Sequence, residues 1–160
     1  MRERFDAKTS EELGKWYDMA FSKGNLKMKG NFYPKMLAWI NLPSDNSKKL
    51  LDIACGSGFL LKEAEKQVDT YGIDISHVAI KEAEKIAKNS NIKVGTAEKL
   101  PYKDNFFDYV ICLGSLEHFI NMEKGLSEMR RVMKPNAIAN ILVPNSDYLI
   151  FKFIGQPPLY

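Results

Sequence analysis

The residues best suited to chemistry in this sequence are two closely spaced glycines and an acid that follows them. Gly56 and Gly58 come directly after a short apolar run, and Asp74 stands 18 positions after Gly56. Glycines let a turn bring its backbone close to a ligand because they carry no bulk. An acid about 20 positions further along is where a carboxylate accepts hydrogen bonds from a ribose hydroxyl pair. The spacing therefore predicts a site for a ligand that contains a nucleoside.

The glycine pair does not by itself identify that nucleoside. A dinucleotide-binding turn reads Gly-x-Gly-x-x-Gly, and its third glycine allows close packing of helix on strand. Leu61 stands at that third position, and Asp52 lies inside the apolar run, which is unusual for such a turn. The sequence also lacks Gly-Lys-Ser and Gly-Lys-Thr, which excludes a triphosphate-binding P-loop. A nicotinamide-dependent dehydrogenase is thus disfavoured.

Alternating strand and helix patterns must position these residues. Short apolar runs predict five strands, at about 49–54, 70–75, 92–96, 106–113 and 137–143. Helical patterns lie between them, over about 57–67, after a cap at Ser76, and from Asn121 to a stop at Pro135. This alternation predicts an α/β fold, a Rossmann-like doubly wound parallel sheet of about five strands with helices on both faces.

Two N-terminal helices are predicted before the first strand. The first covers residues 9–21 and begins with a capping box of Thr9 and Glu12, and the second begins near Pro34. Both are rich in aromatic side chains, which pack in the core or form a lid over the glycine turn. We expect a single domain, 1–160, in which residues 1–48 form a helical lid or cap on a core of residues 49–143.

Ligands of an open parallel sheet bind at the carboxyl ends of its strands, near the point where the strand order reverses. In this sequence the predicted strands end in small or acidic residues. These are Cys55, Gly56, Ser57 and Gly58; Asp74 and Ile75; Thr96, Ala97 and Glu98; and Leu113, Gly114 and Ser115. We expect these four groups to surround one ligand.

Together these segments resemble a class I S-adenosylmethionine-dependent methyltransferase of the broad small-molecule type. Four stretches carry the resemblance: LDIACGSG at 51–58, GIDIS at 72–76, GTAEKLP at 95–101 with FFD at 106–108, and LGSLEH at 113–118. The run RRVMKPN at 130–136 resembles the family's junction of helix and fifth strand, with Asn136 where a glycine is usual. The resemblance spans about 50–143.

The resemblance implies that the strand ends bind S-adenosylmethionine and its product S-adenosylhomocysteine. Asp74 would bind the ribose hydroxyls, and Ile75 and Leu113 would flank the adenine. Ala97 and Glu98 would hold the adenine edge, although Glu98 has a second interpretation as a solvated loop residue. The methionine end would be contacted by the glycine turn and by the lid, through Asp52, Ala54, Cys55, Gly56, Gly58 and Tyr17. Asp52 has an alternative role, which is to orient the turn.

The implied reaction moves a methyl group from a sulfonium to a nucleophilic O, N, S or C atom of a small-molecule acceptor. Because the donor is already activated, the protein's main task is in-line positioning and exclusion of water. Glu117 and His118 follow the fourth strand, where the family places substrate-facing residues, and a histidine is the better general base near neutrality. Two alternatives stay open: His118 packs beneath the following helix, or the chain is a non-catalytic nucleoside-binding module.

Composition limits the possible partners. A net charge of +3, without a basic stripe interleaved with aromatics, disfavours nucleic acid as a partner. Cys55 and Cys112 end apolar runs and are interpreted as buried thiols, and no Cys-x-x-Cys spacing indicates a metal. No apolar run approaches the length of a transmembrane helix. We expect a cytoplasmic protein that binds neither metal nor membrane.

The sequence departs from the family after Val143. The family's sheet usually has seven strands, and residues 144–160 are too few for a helix and two more strands. A fifth strand without that hairpin would be an exposed edge, which favours association. Three explanations compete: a truncated sequence, which we favour, a dimer through the edge, or folding back of the apolar run at 148–154.

Overall fold

The computed structural model describes residues 7–24 and 32–143 of the chain. Its five strands are β1 (Lys49–Ile53), β2 (Asp69–Asp74), β3 (Asn91–Val94), β4 (Phe107–Leu113) and β5 (Met133–Leu142). They form one sheet in the order β3-β2-β1-β4-β5, and every neighbouring pair is parallel. The strand order reverses between β1 and β4, so the prediction of a doubly wound, Rossmann-like parallel sheet is confirmed.

Five α-helices accompany these strands in the described residues: α1 (Ser10–Ser22), α2 (Phe32–Trp39), α3 (Phe59–Ala64), α4 (His77–Ile86) and α5 (Met122–Val132). A single 3-10 turn, Leu116–His118, follows β4. The two helices before β1 confirm the predicted N-terminal pair. The side-chain oxygens of Thr9, Ser76 and Asn121 accept backbone N–H bonds and so cap α1, α4 and α5, respectively, as their residue types predict.

The core lies on both faces of the sheet because successive residues of a buried strand point to opposite sides. Leu50 of β1 packs with α2, α3 and α4, in a cluster that includes Leu37, Leu61 and Ile80. Leu51 and Ile53 point the other way and pack with α5, in a cluster that includes Phe107, Met129 and Val132. The carboxyl edge of the sheet is therefore held between two packed layers.

The junction of α5 and β5 differs from the prediction. The helix ends at Val132 rather than at Pro135, and β5 begins at Met133 rather than at Ala137. The chain turns early because the Val132 carbonyl accepts a 2.8 Å hydrogen bond from the Phe106 N–H, which draws Met133 alongside Phe107. Pro135 lies in the irregular stretch that follows, where the ladder does not need its missing N–H.

Within the described residues β5 is an edge strand, and Ile138, Ile141, Leu142 and Val143 are exposed along it or just after it. The expectations about the tail at 144–160, including folding back of 148–154, lie outside the described residues. A search of the helices in the described ranges found none with both the length and the apolar character needed to cross a membrane.

Candidate functional site

A cavity of about 240 Å³ opens at the carboxyl ends of the strands. The backbone segments after β1, β2, β3 and β4 all reach it, and α1 and α2 contribute side chains from the N-terminal part of the chain. The cavity lies beside the reversal of strand order between β1 and β4, where open parallel sheets bind their ligands. This position agrees with the one that the strand-end residues predict.

The turn between β1 and α3, residues 54–58, has an unusual backbone. Ala54, Gly56 and Gly58 all have positive φ angles, of 60°, 52° and 76°. Such left-handed conformations are strained for a residue with a Cβ, so Ala54 adopts one at a cost of roughly 1 kcal/mol. Because left-handed backbone conformations occur at every second residue of this segment, the chain folds tightly over the end of β1. We call residues 54–58 the glycine turn.

Asp74, the last residue of β2, faces the cavity and holds the glycine turn. Its Oδ2 accepts a 2.8 Å hydrogen bond from the Gly56 N–H, and its Oδ1 accepts one of the same length from the Ser76 N–H. Burial raises the pKa of Asp74, and the hydrogen bonds from these backbone N–H groups act in the opposite direction. Each carboxylate oxygen can accept a second hydrogen bond, so Asp74 can still bind hydroxyl groups of a ligand.

Asp52 lies under the cavity at the end of β1 and is 4% exposed. Burial, and then the charge of Asp74, raise its pKa well above the usual range for an aspartate. The hydroxyl of Tyr33, from α2, is also affected, since burial and the charge of Asp52 raise its pKa to about 12. Burial thus raises the pKa of both carboxyl groups on the floor of the cavity, whereas the backbone N–H groups stabilise the ionised form of Asp74.

All the predicted cofactor residues except Gly58 line the cavity. They are Tyr17, Asp52, Ala54, Cys55, Gly56, Asp74, Ile75, Ala97, Glu98 and Leu113. Gly58 instead caps α3 and packs against α4, since a Cβ at Gly58 would lie 2.9 Å from the Cβ of Ala83. Its small size brings α4 close to the turn rather than opening space for a ligand.

Aromatic side chains cover the cavity. Tyr17 and Phe21 come from α1, and a Cβ at Gly56 would lie 3.4 Å from Cζ of Phe21. On the other side, the rings of Tyr33 and Phe59 stack with their centroids 6.2 Å apart. Trp39 does not take part, because it is 77% exposed at the end of α2. These contacts place α1 and α2 against the glycine turn.

Sequence reasoning missed several cavity residues, among them Leu13, Phe59 and Phe119. Phe59 and Phe119 each stand directly beside a predicted site residue, Gly58 and His118 respectively. That adjacency was the available signal. Leu13 carries no comparable signal, because its helical spacing with Tyr17 is equally typical of ordinary core packing.

His118 lines the cavity, whereas its neighbour Glu117 does not. The imidazole Nε2 lies 3.7 Å from Oε1 of Glu117, and the ring meets that of Tyr17 edge to face with centroids 6.2 Å apart. Just over half of the His118 side chain is exposed. The residue that packs beneath α5 is Phe119, whose ring lies against Gly125. His118 is therefore accessible from the cavity.

The loop that carries Ala97 and Glu98 is held by α5. The Arg131 guanidinium donates hydrogen bonds to the carbonyls of Leu100 (3.0 Å) and Tyr102 (2.8 Å). Oε1 of Glu98 accepts a 3.3 Å hydrogen bond from the Asn121 N–H at the start of the same helix. This part of the cavity wall is consequently anchored at several points.

Comparison with known proteins gives the same result for fold and family. Residues 51–141 match a family described as a methyltransferase domain. Norajmaline N-methyltransferase from Rauvolfia serpentina is 39% identical over 108 residues, which cover 62% of this chain and 37% of that one. Demethylmenaquinone methyltransferase from Thermotoga maritima is 34% identical over 107 residues, which cover 63% and 47%.

A crystal structure of the PH0226 protein from Pyrococcus horikoshii OT3 superimposes with a TM-score of 0.61 and 32% identity, over 75% of this chain and 54% of that one. The chain therefore spans between about a third and a half of the length of these relatives. The family match covers more than half of the present chain and extends from within β1 to within β5. The chain belongs to the methyltransferase domain family, of the class I S-adenosylmethionine-dependent type.

Proposed function

We propose that the protein transfers a methyl group from S-adenosylmethionine to a small-molecule acceptor. The observation that carries this proposal is the cavity in which Asp74, the glycine turn and the 97–98 loop meet at the strand ends. The names of two relatives support the acceptor class, since norajmaline and demethylmenaquinone are small molecules. The donor would supply an activated methyl group on a sulfonium.

The residues present fit an adenosyl ligand. Asp74 faces the cavity with acceptor capacity left on both oxygens, which suits a ribose hydroxyl pair. Ile75 and Leu113 offer apolar surface for the two faces of an adenine, and Ala97 and Glu98 lie where its edge would bind. Cys55 and Gly56 would contact the methionine end, while Asp52 and Ala54 support the turn beneath it. We give Gly58 an indirect role, through packing.

For an acceptor that must lose a proton, we propose His118 as the general base. Its imidazole faces the cavity, and Glu117 lies close enough to stabilise the imidazolium that forms. The neighbouring aromatic surface of Tyr17, Phe21 and Tyr33 would exclude water and orient an apolar acceptor. Among the described residues that line the cavity none is a lysine or arginine, which favours a neutral or cationic acceptor.

Calorimetry and turnover test the proposal together. S-adenosylhomocysteine should bind to the protein and NAD should not, and a panel of phenols, quinols and amines should include a methylated product. Binding of S-adenosylhomocysteine without turnover of any acceptor would instead favour a non-catalytic nucleoside-binding module. Binding of NAD alone would overturn the assignment.

His118→Ala tests the proposed base. Transfer to an oxygen acceptor should fall by about a hundredfold or more, with the affinity for S-adenosylhomocysteine unchanged. His77→Ala is the control for transfer at saturating donor, because His77 is the other histidine of the chain and is exposed at the start of α4, outside the cavity lining. A loss of ligand affinity in His118→Ala would move His118 from the acceptor side into the cofactor site.

We also propose a cytoplasmic location and association through the β5 edge. The location is supported by Cys55 and Cys112, which are both free and buried. The association is supported by the exposed apolar side chains of β5, such as Ile138 and Ile141. Sedimentation of wild type against Ile138→Lys would test the association, since a charge on an edge strand opposes pairing.

A further inference from the structure

Asp18 is the charged residue on the face of α1 that meets the core. The other residues of that face are Leu13, Gly14, Tyr17 and Phe21, of which three line the cavity and Gly14 is buried. The remaining carboxylates of α1, Glu11 and Glu12, are exposed in its first turn. A carboxylate at an inward position needs partners, and α4 supplies them.

Asp18 binds the first turn of α4. Its Oδ1 accepts a 2.6 Å hydrogen bond from the Ser76 hydroxyl and a 3.0 Å hydrogen bond from the Val78 N–H. Burial raises the pKa of Asp18, but these hydrogen bonds and the charge of His77 outweigh it, so the pKa lies below the usual range. An ionised carboxylate at a helix N-terminus is also favoured by the helix dipole.

The contact continues into the candidate site. Ser76 is fully buried, and its N–H donates a hydrogen bond to Oδ1 of Asp74. The other oxygen of Asp74 accepts a hydrogen bond from the Gly56 N–H. One line of hydrogen bonds therefore connects α1 to the glycine turn, through Asp18, Ser76, Asp74 and Gly56. A change in the position of α1 would therefore displace the Asp74 carboxylate, which faces the cavity.

Two further observations link the position of α1 to the cavity. Gly14 lies against β2's end, since a Cβ at Gly14 would be 3.3 Å from the Ile75 carbonyl oxygen. Tyr17 is the direct neighbour of Asp18, and burial, followed by the charges of Asp74 and Glu117, raises its pKa to about 12. Fixing Asp18 on α4 thus fixes Tyr17 over the cavity.

We propose that Asp18 is a positioning residue that locks α1 onto α4 and thereby sets the affinity of the cavity for its nucleoside ligand. If α1 leaves this position for part of the time, the apparent affinity falls in proportion to the competent fraction. The proposal depends on the proposed function only for the choice of S-adenosylhomocysteine as the probe.

The test compares Asp18→Ala and Asp18→Asn with Glu11→Ala, which removes an exposed carboxylate from the first turn of the same helix. Asp18→Ala should weaken binding of S-adenosylhomocysteine in calorimetry by about tenfold, because it removes both charge-assisted hydrogen bonds that hold α1 on α4. Asp18→Asn should lose less, because its amide oxygen still accepts, and Glu11→Ala should bind as wild type does. If Asp18→Ala does not fold, Asp18→Asn carries the comparison.

A second readout reports α1 directly. Trp16 lies on α1 and the chain's other tryptophan, Trp39, is exposed, so Trp39→Phe isolates the Trp16 signal. The parent for this comparison is the Trp39→Phe protein, and Asp18→Ala is introduced into it. Without ligand, the Trp16 emission of this Asp18→Ala protein should differ from that of the parent, and saturating ligand should restore it. Equal affinity and equal emission in Asp18→Ala, with only a lower melting temperature, would overturn the proposal.

The two readouts also separate this proposal from the proposed function. If the parent protein binds no S-adenosylhomocysteine, the proposed function fails. The locking role of Asp18 is then decided by the Trp16 emission and by amide hydrogen exchange. Faster exchange across α1 in Asp18→Ala, with the sheet unchanged, supports the role, and unchanged exchange in α1 contradicts it.

Discussion

The Gly56 N–H donates a 2.8 Å hydrogen bond to Oδ2 of Asp74, which joins the ends of β1 and β2 across the floor of the cavity. The acid that the sequence marks for ribose binding is therefore also the residue that orients the glycine turn. Because both oxygens of Asp74 are fixed by backbone N–H groups, the carboxylate is preorganised for a ligand.

The buried carboxyl of Asp52 should make stability depend on pH. Its folded pKa is raised, so the neutral form contributes stability that is lost as the pH rises through that pKa. Asp52→Asn cannot ionise and should therefore exceed wild type in unfolding free energy near neutrality, by on the order of 1 kcal/mol. The gain should shrink below about pH 4, where an unfolded aspartate is also protonated. Urea unfolding across this range measures it.

Asp108→Asn should behave in the opposite way. Hydrogen bonds from Lys134 and from the Lys49 N–H outweigh burial, which acts to raise the pKa of Asp108, and hold that pKa below its usual value. Its stabilising contribution is present above the unfolded pKa and is lost as the pH falls through the folded one. Asp108→Asn should thus lose roughly 1 kcal/mol near neutrality and little in acid. The same sign for both variants would refute this assignment of the two carboxyls.

Leu61 and Gly72 should be energetically coupled. A Cβ at Gly72 would lie 2.5 Å from Cδ1 of Leu61, so Gly72→Ala should cost roughly 1–3 kcal/mol by overpacking. Leu61→Ala should cost about 2–5 kcal/mol by leaving a cavity. In the double variant the new methyl enters that cavity, so unfolding should show a loss smaller than the sum.

The control for this pair is Leu61→Ala with Gly125→Ala. Gly125 faces Phe119 on the other side of the sheet, so the two losses should simply add. If the Leu61 and Gly72 losses also add, the two residues do not share the space that the structure assigns to them.

This packing explains why the sequence could exclude a dinucleotide turn. The dinucleotide fold places its small residue on the helix, whereas here Leu61 is fully buried on α3 and the small residue, Gly72, lies on β2. The periods of the apolar runs and the residue types at the strand ends were enough to predict the sheet and most of the cavity lining. Both are local properties of the sequence.

Other features were not accessible from the sequence because they depend on contacts between distant segments. Asp18 meets Ser76 across 58 positions, and nothing in the pattern of α1 distinguishes it from a solvated acid. The sequence predicts that Gly58 binds the ligand, and only the position of Ala83 shows that Gly58 packs against α4. The early start of β5 depends on the Phe106 N–H that captures Val132.

Ala54→Gly should stabilise the protein. Ala54 has a φ of 60°, a conformation in which glycine avoids the strain of a Cβ. We expect a gain of about 0.5 kcal/mol after the larger entropy loss of glycine is subtracted, seen as a higher melting temperature. Ala79→Gly, inside α4, should instead lower the free energy of unfolding by about 1 kcal/mol, and with it the melting temperature. A loss in Ala54→Gly similar to that in Ala79→Gly would argue against a strained turn.

The central claim is that Asp74 and the glycine turn form one adenosyl site. Calorimetric titration of S-adenosylhomocysteine into wild type, Asp74→Asn and Asp108→Asn tests it most directly. Asp108 is the control because it is a hydrogen-bonded aspartate near the amino ends of β1 and β4, away from the cavity. We expect binding by wild type and Asp108→Asn, and an affinity at least about tenfold weaker in Asp74→Asn, since a carboxylate acceptor is lost. Equal affinity in Asp74→Asn and wild type, with both proteins folded, would contradict the account.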